Sequence, residues 1–201
     1  MSGVGTQTLP ATVEEPTQRV RILEASLRLM SEQGVHATSM RKLADACGLN
    51  VATLYHYFPS KADLLTAVIA HRSYVDLLAD VPPIDGTLPM RPRLAALLTW
   101  IWTEMGSQDD MWRLLLGESL RGEVQAMTSA AELSATFEAA LERWLDQLFP
   151  DWLAPRTPVA RALRGVIYGF FVEHLPLAPT DRTRFLTRRA SEVAEVFVPA
   201  P

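Results

Sequence analysis

The sequence predicts an all-α protein, and three observations carry the prediction. Apolar residues recur at steps of three or four from Val20 to Phe197, and no stretch alternates apolar and polar as a half-buried strand does. Breaks bearing Pro or Gly cut this pattern into helix-length pieces. The expected architecture is a small three-helix head, a connecting helix and a larger helical body.

Residues 1–15 are small, polar and without periodicity, which predicts a mobile arm. A first helix starts behind Thr17, a capping side chain after Pro16, and carries Val20, Leu23, Leu27 and Met30 on one face until Gly34. A second spans Ser39 to Ala46, with Gly48 where a left-handed turn is needed. The third opens at Asn50 and runs until Pro59, whose ring disfavours helical backbone at Phe58. Ser60 and Asp63 then form an S-x-x-D capping box for a connecting helix that carries Leu64, Leu65, Val68 and Ile69 toward Asp80.

The stretch from Val81 to Pro92 is dense in Pro and Gly and reads as the connection into a second domain, residues 77–201 following a first domain of residues 16–76. In the second domain Leu94, Leu97, Leu98, Ile101 and Met105 mark one helix, and Leu133, Phe137, Leu141, Trp144 and Leu148 mark another. A shorter apolar piece from Trp112 to Leu116 lies between them, and helices from Val159 to His174 and from Asp181 to Phe197 complete the chain.

With 201 residues, 48% of them hydrophobic and 21% charged, the chain can bury an ordinary core without disulfides or a structural metal. Cys47 is the single cysteine, the N-terminus has no signal-peptide pattern, and the longest strongly apolar run, Gly165 to Val172, falls far short of the roughly 20 residues a membrane span needs. The expected compartment is therefore the cytoplasm, with no membrane segment. The net charge of -4 argues against indiscriminate coating of nucleic acid. Its distribution is local: residues 16–61 carry six basic against three acidic side chains, while the flanking segments are both acidic. A short basic segment on an acidic protein is the expected footprint of a DNA contact.

Residues 39–58 have the form of a helix-turn-helix. Ala44 is small where two helices cross, Gly48 occupies the turn, and Leu43, Leu49 and Leu54 supply the seam between them. The second helix of such a pair can lie in the major groove, where each base pair shows a distinct hydrogen-bond pattern. The run GLNVATLYHYFPSKADLL (Gly48 to Leu65), the stretch MRKLADACG before it and the first helix together resemble the TetR family of regulators over residues 17–76. The sequence departs from that family's pattern at Tyr57, where relatives often have His, and at Cys47, commonly Ala. The resemblance implies operator binding by a dimer whose last two helices pair as a four-helix bundle, with Tyr55 and Tyr57 reaching phosphates.

The residues support a DNA interface on their own terms. Asn50, Val51, Ala52 and Thr53 form the first turn of the third helix, where Asn can read adenine and Val or Ala can touch a thymine methyl. Tyr55, His56 and Tyr57 follow as an aromatic cluster with polar tips. Lys61 is a cation in a first helical turn, where the helix dipole favours anions, and a DNA phosphate would resolve the mismatch. Thr38 and Ser39 offer hydroxyls and amides to a further phosphate. Leu43, Leu49, Leu54 and Phe58 are core positions, and Cys47 a small packed side chain.

In the second domain Trp100, Trp102, Met105, Trp112, Phe137, Trp144, Tyr168 and Phe171 are large enough and numerous enough to line a cavity for a small hydrophobic effector, or simply to fill the core. Trp100 and Trp102 cannot share one helix face. Glu104, Arg113, Arg121 and His174 can orient a ligand or form ordinary surface pairs. Gly165 and Gly169 leave a smooth strip for a second subunit's helix, or for close packing within one subunit. The expectation is a homodimer on inverted-repeat, double-stranded operator DNA, released by a small hydrophobic effector; the alternative is a ligand-independent regulator or activator whose body binds a protein partner. Metal-ligand spacing, a glycine-rich phosphate loop and a nucleophile elbow are all missing from the sequence, so neither catalysis nor a cofactor is expected.

Overall fold

The computed structural model describes residues 17–71, 75–174 and 176–199, and within them the chain is helical throughout, with no strand. The helices are α1 (Gln18–Gln33), α2 (Met40–Ala46), α3 (Val51–Tyr57), α4 (Lys61–His71), α5 (Val75–Ala79), α6 (Met90–Gly106), α7 (Asp109–Leu120), α8 (Val124–Leu148), α9 (Arg156–His174) and α10 (Pro179–Phe197). Residues 1–15, expected as an arm, lie outside the described residues.

Local chemistry starts each helix of the head. Thr17 Oγ1 accepts from the Val20 amide at 3.4 Å, Ser39 Oγ from Lys42 at 3.2 Å and Asn50 Oδ1 from Thr53 at 2.7 Å. Ser60 Oγ accepts from the Asp63 amide at 3.0 Å and donates to its carboxylate at 2.7 Å. Each such cap satisfies an amide that the helix itself leaves unpaired and contributes about 1 kcal/mol. Gly48 takes φ 65° in the α2–α3 turn, the left-handed region that a side chain resists.

Several element bounds differ from expectation, and proline accounts for some of them. α9 begins at Arg156, ahead of Pro158, and α10 at Pro179, because a proline in the first helical turn removes only an amide that had no partner. The connecting helix is described as α4 to His71 and α5 from Val75, with residues 72–74 outside the described part. The apolar piece at 112–116 belongs to the longer α7, whose first turn carries Asp109 and Asp110 on the favourable side of the helix dipole.

One apolar cluster runs through the molecule. In the head, Ile22, Leu23, Leu27 and Met30 of α1 meet Leu43, Leu54, Phe58, Leu64 and Leu65, all buried. The head is seated by α1 on α7 and by α4 against α8, while α6 packs on α10 and α9 and α8 on α9. Long side chains tie irregular backbone to the body. Arg93 donates to Leu148 O at 2.6 Å, Trp144 Nε1 to Asp80 O at 2.8 Å, and Arg143 to Leu78 O. No helix among the described residues is long and apolar enough to cross a membrane.

Candidate nucleic-acid interface and apolar cavity

α3 is held by one face and presents the other. Leu54 is fully buried and Val51 half-buried against α2, where Ala44 is also fully buried. Opposite them Ala52, Tyr55, His56 and Tyr57 face solvent, and Tyr55 is 47% exposed. The His56 and Tyr57 rings meet edge to face at 5.8 Å. The cluster exposes large aromatic faces together with hydrogen-bonding tips.

The structure corrects two of the expected contacts around this helix. Thr38 is fully buried, its hydroxyl donating to Gly34 O at 2.8 Å and its amide to Val35 O at 3.3 Å, so it closes the α1–α2 turn and cannot meet a phosphate. Asn50 Oδ1 accepts from both the amide and the hydroxyl of Thr53, at 2.7 and 2.9 Å. Its amide thus has only Nδ2–H donors to offer, and a bidentate reading of adenine, which needs donor and acceptor together, is excluded while the cap stands.

Lys61, the cation that sequence reasoning found misplaced, has an internal partner: its Nζ donates to Val35 O at 2.8 Å. Ser39 stays exposed, and its Oγ is engaged as an acceptor only. Arg41 was missed, although it breaks the same rule, a cation in the first turn of α2. It is exposed and forms no hydrogen bond or ion pair with the described residues. Burial pushes the Cys47 thiol up from its usual range, against the pull of Arg21 and Arg28, which leaves it a poor thiolate.

In the body a cavity lies between α5, α6, α7 and α8, lined by Leu77, Leu78, Trp100, Ile101, Glu104, Met105, Trp112, Leu133, Phe137 and Trp144. It gathers Trp100, Met105, Trp112, Phe137 and Trp144 from among the eight expected residues, and almost no polar surface faces it. Edge-to-face contacts at 5.8 Å (Trp100 with Trp144) and 6.4 Å (Phe137 with Trp144) close it to about 20 Å³, room for a single water. Tyr168 packs behind the wall against Trp112 and Phe137, and burial raises its hydroxyl pKa, opposed by Ser134 and Arg164.

Trp102 does not belong to this cavity. Two helical positions from Trp100 it points the opposite way, stacks on Phe170 at 3.6 Å and donates to Ile167 O. The Phe171 side chain lies outside the described residues. Among the polar candidates, Glu104 borders the cavity and Arg113 is exposed, while Arg121 pairs with Glu118 at 2.9 Å and His174 faces Asp109 at 3.3 Å. Gly165 and Gly169 are exposed, with no atom of the described residues within 4 Å of a Cβ added to either, so neither is closely packed against another described element. They form an open strip on the outer face of α9, beside Ala162 and the exposed Val172.

The family model for bacterial regulatory proteins of the tetR family matches residues 22–68. The regulator UidR of Escherichia coli K12 is 39% identical over 165 residues, which is 81% of this chain and 83% of UidR. Two solved structures share the fold: Salmonella enterica GusR, with a TM-score of 0.68 at 19% identity over 94% of this chain and 99% of its own, and the multidrug binding protein EbrR complexed with proflavin, with a TM-score of 0.58 at 22% identity over 90% and 100%. A helix-turn-helix with an exposed aromatic face, set on a helical body and matched along four-fifths of its length by a known regulator, places the chain in the TetR family of transcriptional regulators.

Proposed function

We propose that the protein is a homodimeric repressor acting in the cytoplasm, binding an inverted-repeat operator and releasing it when a small, largely hydrophobic effector enters the body. The observation that carries the DNA reading is the division of α3 into a buried face at Leu54 and an exposed face at Ala52, Tyr55, His56 and Tyr57. Tyr55, Tyr57, Ser39, Arg41 and the remaining donors of Lys61 take phosphates; Val51, Ala52, Thr53, His56 and the Asn50 Nδ2 face base edges. One α3 reads only a few base pairs, so two are needed, and the open α9 strip at Gly165 and Gly169 is the surface on which a second subunit seats. Residues 16–76 carry the DNA contacts and 77–201 the effector and dimer contacts.

The cavity supports the effector reading. Its wall is apolar and aromatic, and its space of about 20 Å³ is far smaller than an aromatic guest, so such a ligand must press α6, α7 and α8 apart. The head rests on α7, so that displacement acts against an arrangement complete without ligand, which is the logic of release rather than recruitment. EbrR holds proflavin on the same fold, a flat aromatic guest of the kind such a wall accommodates. A second reading, a ligand-independent regulator whose body binds a protein, is favoured by the exposed Leu120, Val124 and Met127 around the α7–α8 turn.

Selection of bound sequences from random duplex DNA, followed by a salt titration of the enriched duplex, tests the proposal. An inverted repeat whose affinity falls steeply with salt is expected, because several phosphates are neutralised. Enrichment of no sequence would remove the DNA-binding reading. Operator release by added aromatic compounds, screened with that duplex, separates the effector reading from the protein-partner one.

A further inference from the structure

Within the contact between body and head, one loop residue is held from several sides. Val35, in the loop between α1 and α2, is buried, and both of its backbone groups are held by other elements. Its N–H donates to Glu118 Oε1 of α7 at 3.1 Å, and its C=O accepts from Lys61 Nζ of α4 at 2.8 Å and from the Thr38 amide just before α2 at 3.3 Å. Gly34, at φ 83°, supplies the turn, and a Cβ there would lie 3.4 Å from Glu118 Oε1. A Cβ on Gly117 would lie 3.2 Å from Arg121 Nη1, the group that pairs with the same Oε1 at 2.9 Å.

Packing does not account for a carboxylate at this place. Glu118 is 1% exposed, and its Oε2 is buried without a hydrogen-bond partner among the described residues. A half-satisfied buried charge is costly, and an apolar side chain of similar volume commonly packs as well or better. What Glu118 supplies that an apolar residue cannot is an acceptor for the Val35 amide and for the largely exposed Arg121, and of the two only Val35 belongs to the head.

α7 also joins the other working parts of the body. At its start Asp109 takes Arg182 of α10 at 2.8 Å and faces His174 of α9 at 3.3 Å. Trp112 stands in the wall of the aromatic cavity, and Glu118 follows six residues later, about 9 Å along the helix axis. A displacement of α7 that opens the cavity therefore pulls directly on Val35.

We infer that Glu118 is a positioning residue for DNA binding: by gripping the Val35 amide from the body, it holds the α1–α2 turn, and with it α2 and α3, in the operator-binding orientation. This rests on the repressor reading above, and it names the contact through which the effector acts. Being fully buried, Glu118 cannot touch DNA itself, so any effect on operator affinity must pass through the head.

The test uses the full-length wild type, Glu118→Gln and Glu118→Leu, with three measurements: affinity for the selected operator duplex, thermal melting and hydrogen exchange of the Val35 amide. Gln keeps the acceptor, so its operator affinity is expected within about threefold of wild type, with Val35 still protected. Leu is expected to fold with a lowered melting temperature, because the buried Val35 amide loses its acceptor, and to bind operator about tenfold more weakly, with Val35 protection lost. A purely structural role predicts instead that the folded Leu variant binds operator as tightly as Gln and wild type do, whatever its melting temperature.

The inference is overturned if a folded Glu118→Leu binds operator as wild type does. It is equally overturned if the wild-type Val35 amide exchanges like a free one, or if Gln loses as much affinity as Leu. Should the Leu variant not fold, the wild-type exchange and the Gln affinity decide by the same criteria. A wild type that enriches no DNA sequence fails the repressor reading, and any role for Glu118 in it; normal enrichment with an unaffected Leu variant fails only the positioning role.

Discussion

The head and the body use their aromatic and polar side chains in opposite ways. In the head Tyr55, His56 and Tyr57 stand in solvent, while short polar side chains cap helix starts three residues away. In the body Trp112, Phe137 and Trp144 are buried around a space of about 20 Å³, and the polar groups that matter reach across 55 to 83 residues of sequence. One region exposes its aromatics on a helix face; the other is an interior whose packing leaves a small space. On the repressor reading proposed above, the difference is what a switch requires. A rigid reading surface needs only local rules, whereas responsiveness needs a long-range interior that a guest can rearrange.

Substitutions in the two regions should separate stability from binding. Trp144→Ala removes a fully buried indole and its bond to Asp80 O, and is expected to cost about 3–5 kcal/mol in chemical denaturation. Tyr55→Ala should leave the denaturation midpoint within about 0.5 kcal/mol of wild type but weaken operator binding by about 1–3 kcal/mol, read by fluorescence anisotropy. A Tyr55→Ala protein that unfolds early, or a Trp144→Ala protein that melts normally, would break the comparison.

Two smaller effects sharpen it. Gly165→Leu puts a side chain into open space on α9, so the subunit should fold with a gain of up to about 1 kcal/mol from helix propensity. Sedimentation should nevertheless show the dimer shifted toward monomer, and an unchanged dimer would move the interface elsewhere. Asn50→Ala removes the α3 cap and should cost about 1 kcal/mol in stability. Its loss of operator affinity should be smaller than that of Tyr55→Ala, since Asn50 offers the DNA only its Nδ2 donors.

How far each feature was legible follows from how far its bonds travel along the chain. The head's helix starts and its turn glycine rest on contacts between residues two to four apart, which a one-dimensional pattern displays. The split between Trp100 and Trp102 was equally visible, because successive helical positions diverge by about 100°. Which of the two would face the cavity was not, since that depended on where α8, α9 and α10 came to rest. The errors at Thr38 and Asn50 have another origin: both side chains were read as free for DNA when the nearest backbone and hydroxyl groups had already claimed them.

Periodicity, capping residues and the turn glycine determined by themselves that this is a helical protein with a helix-turn-helix near its start, because those signals act within one or two helical turns. Tertiary structure alone decided which aromatics close the cavity, that Gly165 and Gly169 lie open on α9, and that Lys61 and Glu118 meet at Val35. The physical reason is separation: Lys61 stands 26 positions after Val35 and Glu118 stands 83 positions after it, and only the packing of α1 on α7 brings a carboxylate to a backbone amide that the local sequence leaves without a partner.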